Sequence, residues 1–161
     1  MAKSVYFATT SKGLEGVLAG EIAALGGRET SVAAGGVSFC ADPAFFYRAN
    51  LRLRTANRVL LRLSEFVAPT PEALYEGVKA VPWPDLFDVR KKIAVEAAVR
   101  DSSLSNSRFA AQKAKDAIVD RFREKLRVRP DVDLVAPDVR IHLRILRDAC
   151  TLSLDTSGES L

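Results

Sequence analysis

Residues 4–41, SVYFATTSKGLEGVLAGEIAALGGRETSVAAGGVSFCA, contain the succession of elements that decides the fold of the first part of the chain. Ser4 to Thr10 is a β-branched and aromatic run, which is typical of a strand. Leu14 to Leu25 carries apolar residues at helical spacing, and Gly26-Gly27 ends that helix. The stretch therefore opens with a strand followed by a helix.

Two strands, a second helix and a final strand follow. The further elements are, in order, a strand over Arg28–Ala33, a strand over Val37–Ala41, a helix from Asp42-Pro43 through Arg54, and a strand over Arg58–Phe66. Gly35-Gly36 provides the turn between the first two strands. Asp42 is a good helix cap, and Pro43 suits the first helical position. The complete order is the split βαβ pattern of a ferredoxin-like fold, so residues 1–66 are predicted to form that domain.

A second α/β domain is predicted over residues 67–161. Ala68-Pro69-Thr70-Pro71 is the best boundary, because two prolines in three residues favour an extended connector. Trp83, within Val81-Pro82-Trp83-Pro84, is expected to be a buried anchor rather than an exposed stacking residue. The predicted elements are a helix over Glu72–Ala80, a strand over Lys92–Arg100, a long helix over about Asn106–Arg127, and strands around Val139–Ile145 and Thr151–Asp155.

Positive charge is concentrated in two stretches of the chain, although the formal net charge is only +4. Between Arg90 and Arg129, twelve Lys or Arg stand against five Asp or Glu, so that stretch carries +7 and the remainder −3. Such clusters suit a polyanion, because each neutralised phosphate releases condensed counterions, and they also suit a solvated face. The second stretch is a group of arginines with no acid among them: Arg48, Arg52, Arg54, Arg58 and Arg62.

Several classes of protein do not fit the sequence. No apolar run approaches the roughly 20 residues that cross a bilayer, and the N-terminus lacks the features of a signal peptide, so we expect a cytoplasmic protein with no membrane partner. Cys40 and Cys150 are far apart and lie in strand-like runs. Buried, reduced thiols are expected there rather than a disulfide or metal ligands.

The inventory for independent catalysis is also poor. His142 is the only histidine, and it is expected on the polar face of a strand. Gly13, Gly16 and Gly20 do not match a nucleotide-binding loop, because they interrupt a predicted helix instead of joining a strand to a helix. We therefore predict no catalytic residue, no metal site and no cofactor in this chain.

The long helix contains the best candidate binding site. Around Ile118, an apolar stripe of Ala111, Ala114, Phe122 and Leu126 is expected to face a sheet. Beyond that stripe, the helix start combines free backbone N–H groups with positive side chains, and so forms a plausible phosphate cradle. The predicted RNA-binding residues are Arg108, Lys113 and Lys115, with Arg52, Arg54 and Arg58 as secondary candidates and Phe109 as a possible base-stacking residue or a packing residue.

The C-terminal half of this helix has a different character. Its mixed charges at i,i+3 and i,i+4 spacing are typical of an ordinary solvated surface. Arg123 and Arg127 are therefore expected to stay out of the RNA contact.

With these residues in view, the sequence resembles a known family. Six stretches match it in the family's order: Thr10–Glu15, Ala34–Phe39, Ala49–Leu60, Lys113–Asp120, Pro137–Ile141 and Ser153–Leu161. They resemble the N-terminal part of bacterial ribosomal RNA large-subunit guanine-N2 methyltransferases. The resemblance implies an α+β chain, with a ferredoxin-like segment followed by a THUMP-type domain that binds structured RNA, most directly 23S ribosomal RNA.

The resemblance also implies where catalysis occurs. In the family, a Rossmann-like domain follows and methylates a guanine amine with S-adenosylmethionine, using an Asn/Asp-Pro-Pro-aromatic motif. This sequence stops at Leu161, and its nearest fragment, Asp42-Pro43-Ala44, lacks the second proline and the aromatic. The expected partners are thus RNA and a methyltransferase domain of the same polypeptide. We expect this chain to be a truncated form without that domain. The alternatives are a THUMP module of a transfer-RNA modifying enzyme and a protein-interaction domain without RNA binding.

Overall fold

The computed structural model describes residues 4–42, 45, 48, 52–104 and 106–155. The chain divides into two compact units, one comprising residues up to Arg62 together with Asp155, and the other Leu63–Leu154. The helix predicted from Asp42 to Arg54 falls largely outside the described residues. The domain boundary at residues 66 and 67 stays a prediction.

The first unit is an antiparallel sheet with one described helix. Its elements are β1 (Ser4–Thr9), α1 (Glu15–Ala24), β2 (Arg28–Ala33), β3 (Gly36–Ala41) and the first half of β4 (Arg58–Val67). The strand order within the unit is β2-β3-β1-β4. Leu18 and Ile22 of α1 are fully buried with Tyr6, Phe39 and Phe45, so one apolar face of the helix covers the sheet as its spacing predicts.

The second unit combines parallel and antiparallel pairing. Its elements are the second half of β4, α2 (Pro71–Lys79), α3 (Trp83–Leu86), β5 (Ile93–Arg100), α4 (Ser107–Leu126), β6 (Val139–Leu146) and β7 (Ala149–Asp155). Its strand order is β4-β7-β6-β5, with β5 and β6 parallel and β6 and β7 antiparallel. A parallel pair needs a long crossover connection, and α4 supplies it. The α+β fold class predicted from the sequence is confirmed.

The segment predicted as an extended connector is held in place within the second unit. The Ala68 amide donates to the Asp148 carbonyl at 2.8 Å, and the Ser103 hydroxyl donates to the Pro69 carbonyl at 2.6 Å. Thr70 caps α2, and Pro71 is its first residue instead of a linker residue. Prolines are well tolerated at the first turn of a helix, which is why the second proline starts the element.

Two side-chain predictions have clear outcomes. Trp83 is fully buried, and its indole N–H donates to the Val78 carbonyl at 2.8 Å, so the anchor role is confirmed. Cys150 is a buried free thiol as expected, and burial raises its pKa to about 11. Cys40 is only half-buried, because its thiol lies at the surface beside the Glu29 carboxylate.

None of the described helices has the length and apolar character to span a membrane.

Candidate nucleic-acid interface

The start of α4 is a capped helix end with positive character. The side-chain oxygen of Asn106 accepts a hydrogen bond from the Phe109 amide at 3.1 Å, and the first turn contains no acidic residue. Arg108 is exposed, and Phe109 is 45% exposed. The helix dipole therefore adds to the charge of Arg108 with no carboxylate in that turn to offset it.

The buried face of α4 agrees with the predicted stripe except at its end. Leu126 is 44% exposed, so its assignment to the stripe is wrong. It is the last residue of the helix, and Arg127 follows it with a left-handed φ of 59°, which turns the chain away. The buried residues of α4 are Ala110, Ala114, Ala117, Ile118, Val119 and Phe122.

Two of the predicted RNA ligands meet in one pocket of the second unit. Lys113 and Lys115 line a cavity of about 380 Å³, whereas Arg108 and Phe109 are not among its lining residues. Arg108 lies seven residues before Lys115, about 10 Å along the helix axis. The complete lining, called the α4 pocket below, is Tyr75, Lys113, Lys115, Asp116, Val119, Asp120, Arg123 and Arg129.

Tyr75 of α2 organises one side of the α4 pocket. Its hydroxyl donates to the Asp120 carboxylate, and this hydrogen bond is the main reason that the pKa of Tyr75 is raised. The Lys113 and Lys79 ammonium groups lie over the Tyr75 ring, at 5.6 Å and 5.5 Å from its centroid. Cation–π attraction therefore holds Lys113 at the pocket, and among the described residues no carboxylate forms an ion pair with it.

The other lysines near this face are paired. Lys79 contacts Glu124 at 2.6 Å, and the resulting hydrogen bond raises the pKa of Lys79. Lys115 contacts Asp116 at 2.6 Å, and its side chain is only 21% exposed. The stem of Lys115 thus packs against the protein while its charge remains at the pocket.

The secondary arginine candidates belong to the first unit. Glu21 of α1 accepts hydrogen bonds from the backbone amides of Arg54 and Thr55, at 3.0 Å and 3.2 Å, and so fixes the main chain there. Arg52 and Arg54 are exposed. Arg58 lies 3.9 Å from the Asp155 carboxylate with its side chain 42% exposed, which makes it the least available of the three.

The glycine turn before α1 does not offer an anion site. The Glu15 carboxylate accepts from the amides of Gly13 and Gly35 at 2.6 Å and 3.1 Å. The hydrogen bond from Gly35 is the main cause of the lowered pKa of Glu15. A carboxylate of the chain itself already accepts from these two N–H groups, which are therefore not available to a phosphate.

Of the eight described residues that line the α4 pocket, only Lys113 and Lys115 were predicted as site residues. The other six are Tyr75, Asp116, Val119, Asp120, Arg123 and Arg129. Arg123, which was expected to stay out of the RNA contact, lines the same pocket as Lys113 and Lys115. Lys113, Asp116, Asp120 and Arg123 recur at i,i+3 and i,i+4 spacing, which places them on one helix face and could have revealed the pocket. Tyr75 and Arg129 come from other segments and carried no comparable signal.

Comparisons with known proteins identify both halves of the chain. A family model described as the THUMP domain matches residues 68–155. The chain belongs to the THUMP family. A model described as the RlmL ferredoxin-like domain matches residues 5–60, so the predicted pair of domain types is confirmed.

The relatives are much longer than this chain. It is 48% identical over 156 residues to the ribosomal RNA large subunit methyltransferase K/L of Syntrophotalea carbinolica, covering 97% of this chain and 22% of that protein. The same-named protein of Ectopseudomonas mendocina is 48% identical over 153 residues, covering 95% and 21%. A solved structure described as a predicted N6-adenine-specific DNA methylase from Listeria monocytogenes has a TM-score of 0.86 and 33% identity, covering 98% of this chain and 41% of that one.

Proposed function

We propose that this THUMP chain is the RNA-binding part of an S-adenosylmethionine-dependent methyltransferase that modifies the exocyclic N2 of a guanine in 23S ribosomal RNA. The observation that carries the proposal is the 48% identity over 97% of the chain to a ribosomal RNA large subunit methyltransferase. The positively charged α4 pocket supports a polyanionic ligand. A cytoplasmic location goes with this function.

We assign catalysis and cofactor binding to a methyltransferase domain of the same polypeptide outside residues 1–161. The chain covers 22% of its relative, which leaves ample length there for a catalytic domain. Within the described residues, the glycine turn that precedes α1 is occupied by Glu15 and does not fit the cofactor. S-adenosylmethionine would supply the methyl group in the catalytic domain, while this chain would bind and orient the RNA.

The RNA-binding surface that we propose includes Lys113 and Lys115 at the α4 pocket, with Arg108 at the helix start and Arg52, Arg54 and Arg58 in the first unit. Lys113 supports this assignment best, since its ammonium group faces an aromatic ring rather than an acid. Phe109 is half-exposed, which is compatible with stacking against a base.

The test compares affinities of the 161-residue chain for RNA hairpins of equal length. Hairpins tiled across large-subunit ribosomal RNA are measured against a transfer-RNA acceptor arm, at two salt concentrations. We expect at least one ribosomal hairpin to bind more tightly than the acceptor arm. Preference for the acceptor arm would instead indicate a transfer-RNA modifying enzyme.

Two further outcomes address the class of partner. A DNA hairpin of the same sequence is the control, because the solved relative from Listeria monocytogenes is described as a DNA methylase. Equal affinity for DNA would contradict recognition of structured RNA. No RNA binding at low salt, together with salt-insensitive association with a protein, would overturn the proposed function in favour of a protein-interaction domain.

A further inference from the structure

The charges of the α4 pocket do not cancel one another. Its lining contains four cations and two carboxylates, which leaves two positive charges in excess. The carboxylates have partners of their own, because Asp120 accepts from the Tyr75 hydroxyl and Asp116 pairs with Lys115. Within the part of the chain that the structure describes, Arg123 and Arg129 form no ion pair, and both are exposed. The pocket thus has basic groups available for an external anion.

The size of the pocket restricts the ligand. A cavity of about 380 Å³ lies at the low end of the roughly 300–1,000 Å³ range of small-molecule sites. It has room for one nucleotide-sized group and is too small for a stretch of RNA. A hydrophobic ligand would need apolar walls, but lysine and arginine side chains line this cavity. Among the described residues that line it, Val119 is the one aliphatic residue.

The chemistry of the pocket favours phosphate over a base. Arginine guanidinium groups match phosphate oxygens in a bidentate geometry, and Arg123 and Arg129 supply two such groups. The Tyr75 ring already has the Lys79 and Lys113 ammonium groups over it, so it is not a bare platform for stacking. Asp116 and Asp120 would repel a second phosphate in so small a space.

We propose that the α4 pocket binds a single phosphodiester of the RNA, held by Lys113, Arg123 and Arg129, and that it does so independently of base identity. This inference rests on the proposed function, because the phosphate is that of the bound RNA. Tyr75 is a positioning residue: its hydroxyl engages Asp120, and its ring holds Lys113. The pocket fixes the register of the RNA strand, and the bases are read elsewhere.

The central experiment replaces the two arginines and measures RNA affinity over a range of salt concentrations. The Arg123→Gln, Arg129→Gln double variant is compared with an Arg28→Gln, Lys91→Gln variant, which loses the same charge at exposed positions outside the pocket. We expect the pocket variant to bind roughly tenfold more weakly at low salt, equally for several RNA sequences, and the control by less than about twofold.

The salt dependence distinguishes one phosphate from two. Because both arginines hold the same phosphodiester, which Lys113 still contacts in the double variant, the log–log slope should become shallower by at most roughly 0.7, the contribution of one phosphate in single-stranded RNA. A slope that is shallower by roughly 1.4 would mean that each arginine binds a phosphate of its own, and would overturn the single-phosphate proposal.

A variant with the opposite expected sign excludes misfolding as the explanation. Asp120→Asn keeps an acceptor for the Tyr75 hydroxyl but removes a negative charge from the pocket. We expect its RNA affinity to rise by about two- to threefold. An unchanged or lower affinity, with the fold verified by circular dichroism, would contradict the presence of a phosphate beside Asp120.

The remaining outcomes separate this inference from the function on which it rests. If the unaltered chain binds RNA and the pocket and control variants lose affinity equally, the phosphate site is wrong and the proposed function stands. If the unaltered chain binds no RNA, both are wrong. Inorganic phosphate titrated at constant ionic strength should displace RNA only at millimolar concentration. Displacement at micromolar concentration would identify free phosphate as the occupant and overturn the RNA assignment.

Discussion

At the scale of single residues, Gly36 shows how closely the strands of the first unit approach one another. A Cβ atom at this position would lie 2.5 Å from the Ala8 carbonyl oxygen and 2.5 Å from the Phe7 ring. The ring can move, but the backbone oxygen belongs to β1, which pairs with β3 at this point. The glycine is therefore required by the strand pairing itself and not only by the preceding turn.

We predict that Gly36→Ala lowers the free energy of unfolding by about 1–3 kcal/mol, because the added methyl group forces the two strands apart. Gly20→Ala is the matched control. Gly20 is exposed on α1 with nothing within 4 Å of the added atom, so this variant should be more stable by about 0.5–1 kcal/mol. Urea unfolding measures both. Equal midpoints for the two variants would show that β1 and β3 tolerate separation.

At the scale of elements, α4 has two regions in which a phosphate could bind, and Asn106 allows them to be distinguished. Asn106→Ala removes the acceptor of the Phe109 amide and should destabilise the protein by about 1 kcal/mol. Asn106→Asp keeps the cap and adds a negative charge that the helix dipole favours, so the stability measured by urea unfolding should be maintained.

The same Asn106→Asp variant tests the phosphate cradle predicted at the helix start. If a phosphate lies against the first turn beside Arg108, the new carboxylate should weaken RNA binding several-fold, since like charges repel at close range. If RNA contacts only the α4 pocket, two or more turns further along, its affinity should stay within about twofold of the unaltered chain. Titration with one hairpin at about 0.15 M salt is sufficient, because the Debye length there is about 8 Å, shorter than the separation of the two regions.

At the scale of the whole molecule, we predict that RNA affinity falls steeply as the salt concentration rises. About four phosphate contacts with single-stranded or looped RNA would give a log–log slope of roughly −3. Lys113→Ala with Lys115→Ala should weaken binding across RNA sequences and make this slope shallower, while thermal unfolding stays cooperative because neither residue lies in the apolar core. An Arg28→Ala, Lys91→Ala variant controls for net charge and should keep a steeper slope than the lysine variant. If the slope of the control becomes as shallow as that of the lysine variant, the assignment of the contact to Lys113 and Lys115 is wrong.

The amino-acid sequence by itself determined the order and type of the described elements, except the short helix α3 (Trp83–Leu86), which was not predicted. Hydrophobic periodicity and turn residues depend on local backbone geometry, so β2 over Arg28–Ala33 and the crossover helix α4 could be predicted to within a residue or two. The same periodicity placed Lys113 outside the apolar stripe and Lys115 near its edge.

Only the tertiary structure decided which side chains meet. The α4 pocket unites α4 with Tyr75, which lies 45 residues from its partner Asp120, and with Arg129 beyond the helix. Local spacing contains no information about such long-range contacts, because these follow from how α2 packs beside α4. Arg123 is exposed, as predicted, but its neighbours in the pocket include Tyr75 and Arg129, which no helical projection of α4 contains. Charge and periodicity were therefore sufficient to find the helix, and packing was needed to find the pocket.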